Sequence, residues 1–84
     1  MKKKQEVKRK IYLTFPAEKT KEGLICEMYD RYKVRFNIRA ASVTEDLGLI
    51  ALELTGPEDK MKQAFDFFRK NGLKVEPIEI NVIE

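Results

Sequence analysis

Val34-Arg35-Phe36-Asn37-Ile38-Arg39-Ala40-Ala41-Ser42-Val43-Thr44 is the longest β-patterned run of the chain, and it stands between two segments of helical pattern. Val34, Phe36, Ile38 and Ala40 alternate with Arg35, Asn37, Arg39 and Ala41, so the run reads as a central strand with one apolar and one polar face. Asn37 is the odd member. Asn is depleted in strands because a pleated, half-buried surface offers it few partners. It either finds a hydrogen bond within the chain, as polar groups near a core generally do, or it faces something outside the chain.

Upstream, Arg9 to Phe15 forms a first strand with Ile11, Leu13 and Phe15 on one face and Lys10, Tyr12 and Thr14 on the other. Pro16 ends it by withdrawing a ladder N–H. After a loop over Ala17 to Lys19, Thr20 is the expected N-cap of a helix from Lys21 to Tyr32, with Glu22 in its first turn. Leu24, Ile25, Met28, Tyr29 and Tyr32 supply the apolar stripe, and Gly23 weakens the first turn by about 1 kcal/mol.

Downstream, Glu45-Asp46-Leu47-Gly48 reads as a hairpin turn in which Gly supplies a positive φ. Leu49 to Thr55 is its return strand, with Ile50, Leu52 and Leu54 inward and Leu49, Ala51 and Glu53 outward. Thr55-Gly56-Pro57-Glu58-Asp59 opens a second helix, whose core stripe is Met61, Ala64, Phe65 and Phe68 and whose stop is Asn71-Gly72. A last strand runs from Leu73 to about Ile80, with Pro77 marking a bulge or an edge position.

The chain of 84 residues is expected to be one domain over residues 8–84, preceded by a flexible basic tail over residues 1–7. So short a chain buries a modest core, and oligomerisation is one common remedy. The charge of +3 invites a nucleic-acid reading, but Lys2, Lys3, Lys4, Lys8, Arg9 and Lys10 supply the excess and the remainder is slightly acidic. That distribution disfavours nucleic acid as a partner. With Cys26 alone and no histidine, the chain offers neither a multi-cysteine metal or cluster site nor a triad built on histidine. It is expected to be no enzyme and to hold no cofactor. No apolar run is long enough to span a membrane and no signal-peptide core follows the basic start, so the expected location is cytoplasmic, without direct membrane insertion.

The order β-α-β-β-α-β predicts an α+β, ferredoxin-like βαββαβ sandwich: a four-stranded antiparallel sheet in the order 4-1-3-2 with two helices on one face. Its other face is left bare. Ala41, Val43, Leu49 and Ala51 are expected to form an apolar patch there, flanked by Tyr12, Thr14, Asn37 and Arg39, and such patches mark association or ligand sites.

From Lys10 to about Pro77 the chain resembles the NIL domain family, named for an Asn-Ile-Leu motif in the second strand, which stands here as Asn37-Ile38-Arg39. Leu13-Thr14-Phe15, Leu24-Ile25, Leu52-Glu53-Leu54-Thr55-Gly56 and Gly72-Leu73-Lys74-Val75-Glu76 complete the resemblance. It implies a fold related to ACT-type regulatory domains, paired through its sheets into a homodimer. NIL domains close the ATPase subunit of methionine ABC importers, where they bind methionine and restrain transport. They also precede ferredoxin-type 4Fe–4S segments, a group that Val75-Glu76-Pro77-Ile78-Glu79 is similar to.

The chain itself has neither a phosphate-binding loop nor cluster cysteines. The expected function is therefore that of a small-molecule-binding regulatory domain sensing methionine or a similar amino acid, with an ABC transporter or an iron–sulfur protein as partner. Asn37 and Arg39 are the expected ligand contacts: the Asn amide offers donors and an acceptor to an amino-acid head, and the guanidinium could pair a carboxylate. Ile38 is expected in the core. Arg39 replaces the family's apolar residue beside what should be an apolar thioether pocket. The alternative is a dimerising interaction module without a metabolite, associated with a ferredoxin-type iron–sulfur protein. RNA binding needs exposed aromatics on the central strands, and only Tyr12 is expected outside.

Overall fold

Ile11, Leu13 and Phe15 on one strand and Leu52 and Leu54 on another alternate with polar or small residues, and all five are buried on the same side of one sheet. The computed structural model describes residues 6–19 and 23–78. Within it the elements are β1 (Glu6–Pro16), a 3-10 turn over Ala17–Lys19, α1 (Leu24–Tyr32), β2 (Arg35–Val43), β3 (Leu47–Pro57), α2 (Glu58–Lys70) and β4 (Lys74–Pro77). The four strands pair antiparallel in the order β2-β3-β1-β4, the expected sandwich topology. The run over residues 34–44 is thus an edge strand, not a central one. The two central positions belong to β1 and β3, which pair along their whole length from Glu6 with Pro57 to Pro16 with Leu47.

Met61, Ala64, Phe67 and Phe68 of α2 and Leu24 and Met28 of α1 close over the inner face, joined by Val34, Leu73 and Val75. Phe67, absent from the expected stripe, is buried by edge-to-face contact with Tyr32 at 5.9 Å and by the Arg31 guanidinium over its ring at 5.4 Å. Phe65 is only partly buried in its stead. Tyr29, expected in the α1 stripe, is exposed and meets Phe36 edge-on at 6.4 Å.

Element ends follow local chemistry. Residues 20–22, with the expected N-cap Thr20, lie outside the described residues, and α1 begins after Gly23, which holds φ at 62° without a side-chain cap. Gly23 therefore precedes the helix in a left-handed conformation instead of weakening its first turn, and this is a backbone state glycine adopts without a Cβ penalty. α2 ends in a Schellman pattern: Leu73 N–H donates to Phe68 O at 3.1 Å, Gly72 N–H donates to Arg69 O at 3.0 Å, and Gly72 sits at φ 86°.

The hairpin between β2 and β3 does not use Gly48 as a turn glycine. Gly48 lies within β3, opposite Phe15 and Val43, and positive φ among glycines is found only at Gly23 and Gly72 of the described residues. Thr44 makes the turn: its Oγ1 accepts from the N–H groups of Asp46 and Leu47 at 3.3 and 3.2 Å, while its own N–H donates to Leu47 O at 2.8 Å. A threonine hydroxyl mimicking a backbone turn replaces the expected glycine.

β1 begins at Glu6, ahead of the expected Arg9, because Glu6 and Val7 continue the ladder opposite Pro57 and Gly56. Pro77 closes β4 at the sheet edge, where its missing N–H breaks no ladder. Ile80 and the rest of the expected final strand lie outside the described residues.

β2 carries a bulge at Arg39. Ile38 faces Leu52 but Ala40, not Arg39, faces Ala51, and the register continues to Val43 opposite Gly48. One extra residue in one strand inverts the facing of every residue beyond it.

Two stability outcomes follow from this packing. Phe68→Ala should cost about 3–5 kcal/mol in urea unfolding, since a fully buried aromatic is removed without collapse of the site. Gly72→Ala should cost about 1 kcal/mol, because the Schellman turn holds that residue at positive φ; an unchanged midpoint would exclude a conformational requirement there.

Candidate functional site

The sheet face away from the helices carries no covering element among the described residues, and its side chains fall into rows across β2, β3 and β1. Arg35, Thr55 and Lys8 make the first row, and Asn37, Glu53 and Lys10 the second. Ala40, Ala51 and Tyr12 make the third, and Ser42, Leu49 and Thr14 the fourth. The face thus has a charged end and an apolar end that meet at the Arg39 bulge.

At the charged end, Lys8, Arg35, Asn37, Glu53 and Thr55 line a cleft of about 280 Å³, with Phe36 at its margin. Asn37 is exposed and its amide has no hydrogen-bond partner among the described residues, so the mid-strand Asn is not satisfied by the fold. Arg39, the extra residue of the bulge, brings Nη1 to 4.0 Å from Glu53 Oε1. That is an ion pair at its outer limit, too long for a hydrogen bond. The Glu53 side chain is only 14% exposed although nothing packs on this face from above. Its neighbours in the row, Lys10 and Asn37, stand on either side of it.

At the apolar end, Tyr12, Ala40, Ala41, Ser42, Leu49 and Ala51 line a shallow depression of about 120 Å³. Tyr12 and Leu49 are 43% and 39% exposed. Of the residues expected in this patch, Tyr12, Leu49 and Ala51 are brought together. Ala41 and Val43 are not: the bulge turns both to the helix side, opposite Ile50 and Gly48, so that Ala41 only borders the depression while Val43 lines a separate apolar groove of about 220 Å³ with Phe15, Leu24, Phe36, Ile38 and Ile50. Ala40 and Ser42 take their places outside, a pair that the uninterrupted alternation had not assigned there.

Ile38, expected in the core, stays on the helix side but is 53% exposed, because the edge strand is incompletely covered by α1. Cys26 borders the same groove and is a free, exposed thiol.

Among the described residues no group of three His, Cys, Asp or Glu side chains could hold a metal ion, and no helix is long and apolar enough to cross a membrane. What the outer face offers is recognition chemistry: cations, one shielded carboxylate and an unpaired amide beside an apolar surface. Sequence reasoning named Asn37 and Arg39 but did not place Glu53, Arg35 and Lys8 in the same cleft. The signal available was a lone acid in the otherwise apolar run Leu49 to Leu54.

No match to the sequence was found among curated proteins. Among solved structures, the C-terminal domain of an ABC transporter ATP-binding protein from Enterococcus faecalis superposes with a TM-score of 0.73 at 23% identity, over 83% of this chain and 82% of that one. The de novo designed protein Foldit4 gives 0.56 at 10% identity, over 92% and 100%. At these identities the likeness is one of fold, a sandwich that a designed sequence also adopts. The NIL domain family matches residues 9–77, from within β1 through the last residue of β4. Over that span, which holds both helices and both ends of the outer sheet face, the chain belongs to the NIL domain family.

Proposed function

We propose that this chain is a regulatory domain that senses methionine or a similar apolar amino acid on its outer sheet face, works as a homodimer and serves an amino-acid transporter of the ABC type. The observation that carries the reading is the unpaired amide of Asn37 in a polar cleft that opens directly onto the apolar patch of Tyr12, Leu49 and Ala51. An amino acid is polar at one end and, for an apolar side chain, greasy at the other, which is the division this face presents. The link to transport draws on membership of the family and on the likeness in fold to a domain that ends an ABC transporter ATP-binding protein. The reading gives the chain no catalytic role.

Pairing through the sheets is supported by the same surface. Tyr12, Leu47 and Leu49 are exposed on one face of a small domain, and a second copy laid on it would remove them from water at about 25 cal/mol per Å² of apolar area. The second reading is a pairing module without a metabolite, associated with a ferredoxin-type iron–sulfur protein. It is favoured by one feature: at the position of the family's apolar residue this chain carries Arg39, whose guanidinium lies 4.0 Å from the Glu53 carboxylate at the junction of cleft and patch.

Thermal melting against the twenty free amino acids separates the two. On the sensor reading, an amino acid with an apolar side chain stabilises the chain, by about 2.7 kcal/mol at a concentration of 100 Kd, and Asn37→Ala abolishes the rise while leaving the unliganded melt unchanged. A flat panel would remove the sensor reading and leave the pairing module. Sedimentation of the unliganded chain should give a dimer, and Leu49→Glu should return it to a monomer with its fold intact; a wild-type monomer at all concentrations would exclude both readings as stated.

A further inference from the structure

We infer that Glu53, together with Arg35 and Lys8 across the same cleft, grips the charged head of a free α-amino acid: the Glu53 carboxylate takes the α-ammonium, and the two cations take the α-carboxylate. This inference rests on the amino-acid reading above and assigns charged contacts that reading leaves open.

Four cations, Lys8, Lys10, Arg35 and Arg39, stand on or over the outer face of β1 and β2, against two acids of the three long strands: Glu6 at the end of β1 opposite Pro57, and Glu53 in the middle of the face. Among the described residues, the only ion pair Glu53 makes is the one at 4.0 Å with Arg39, and Lys8, Lys10 and Arg35 make none. A carboxylate shielded to this degree, with no hydrogen bond to the charged oxygens, is poorly served by the fold. An alkylammonium supplies three N–H donors and the opposite charge, and such charge-assisted hydrogen bonds are the strong ones.

Position agrees with charge. Successive rows on one face of a strand are two residues apart, about 7 Å. The row of Arg35, Thr55 and Lys8 lies one step from the row of Asn37 and Glu53, which lies one step from Ala40, Ala51 and Tyr12. A head group held between the first two rows sends its side chain along β3 past Ala51 toward Leu49. The cleft of about 280 Å³ falls just below the range of about 300–1,000 Å³ usual for drug-sized ligands, which suits a ligand of amino-acid size. Thr55 and Asn37 complete the polar lining.

The test is titration of the full chain with L-methionine, or whichever free amino acid raises the melting temperature most, alongside its N-acetyl and amide derivatives. These lack the ammonium and the carboxylate respectively. The wild-type chain should bind the free amino acid at least tenfold more tightly than either derivative. Glu53→Gln should lose at least tenfold on the free amino acid and bind it no better than the N-acetyl form. Arg35→Gln should lose the preference over the amide alone.

A merely structural role for Glu53 would lower all three ligands together and shift the unliganded melt. Unchanged affinity and unchanged preference in Glu53→Gln would overturn the inference while leaving amino-acid sensing in place. Absence of binding by every free amino acid to the wild-type chain would overturn both. Should Glu53→Gln fail to fold, the selectivity of Arg35→Gln decides, and an undiminished preference for the free carboxylate there would count against the site.

Discussion

The full-length pairing of β1 with β3 is the contact on which the remaining structure depends. It aligns Ile11 with Leu52 and Leu13 with Ile50 on the helix side and, one residue over, Lys10 with Glu53 and Tyr12 with Ala51 on the other. The first set is the floor onto which α1 and α2 pack, with Ile11, Leu13, Leu52 and Phe68 withdrawn from water altogether. The second set is the middle of the candidate site. Because side chains alternate strictly along a strand, one register decides both. A slip by one residue would expose the core and bury the charges, so the hydrophobic floor also fixes where the charged cleft sits.

The Arg39 bulge does the complementary work at the edge. A long edge strand is a template for unwanted pairing, and bulges and charges are the usual means of blunting it. Here the bulge also redistributes small and large residues. Without it Val43 would join the outer face and Ala40 would lie beneath α1; with it the outer face beside Ala51 is floored by Ala40, and the larger Val43 fills space beside Phe15 and Gly48. A depression is left on one side and a groove partly filled on the other. The same extra residue sends a guanidinium over Glu53, which joins the backbone irregularity to the electrostatics of the cleft.

Much of this was legible from alternation and periodicity. The order of elements, the inward parity of β1 and β3 and the helix stop at Asn71-Gly72 all rest on local signals that tertiary packing did not overrule. Other features were hidden for physical reasons. Phe67 is core because Tyr32 and Arg31 of another helix reach it, a contact no single-helix stripe encodes. The turn at Thr44 is made by a hydroxyl, so the nearby glycine was a false signal. The bulge did leave a trace: the apolar run 34, 36, 38, 40 is followed on the same parity by Ser42, while Ala41 and Val43 carry apolar side chains on the other parity. Of the site, Asn37 was visible as a residue out of place in a strand. Glu53 was not, because its surroundings come from Lys10 on β1 and Arg39 on β2, far apart in the chain and adjacent only through the sheet.

On the proposed reading, occupancy and pairing are coupled through desolvation. Laying a second copy over this face strips water from Lys8, Lys10, Arg35 and Arg39 as well as from Tyr12 and Leu49, and desolvating those charges offsets part of what the apolar area contributes, so the unliganded dimer is weaker than its apolar surface alone would make it. A zwitterionic ligand leaves the net charge unaltered but gives Glu53 an ammonium and Arg35 a carboxylate, so the charges enter the interface already paired. Its apolar side chain meanwhile adds to the surface that pairing buries. Each event then favours the other by the same factor, as linkage requires. A domain of this size could in that way convert the concentration of a small metabolite into the geometry of a dimer, through the spacing of charges on one sheet and without rearranging its core.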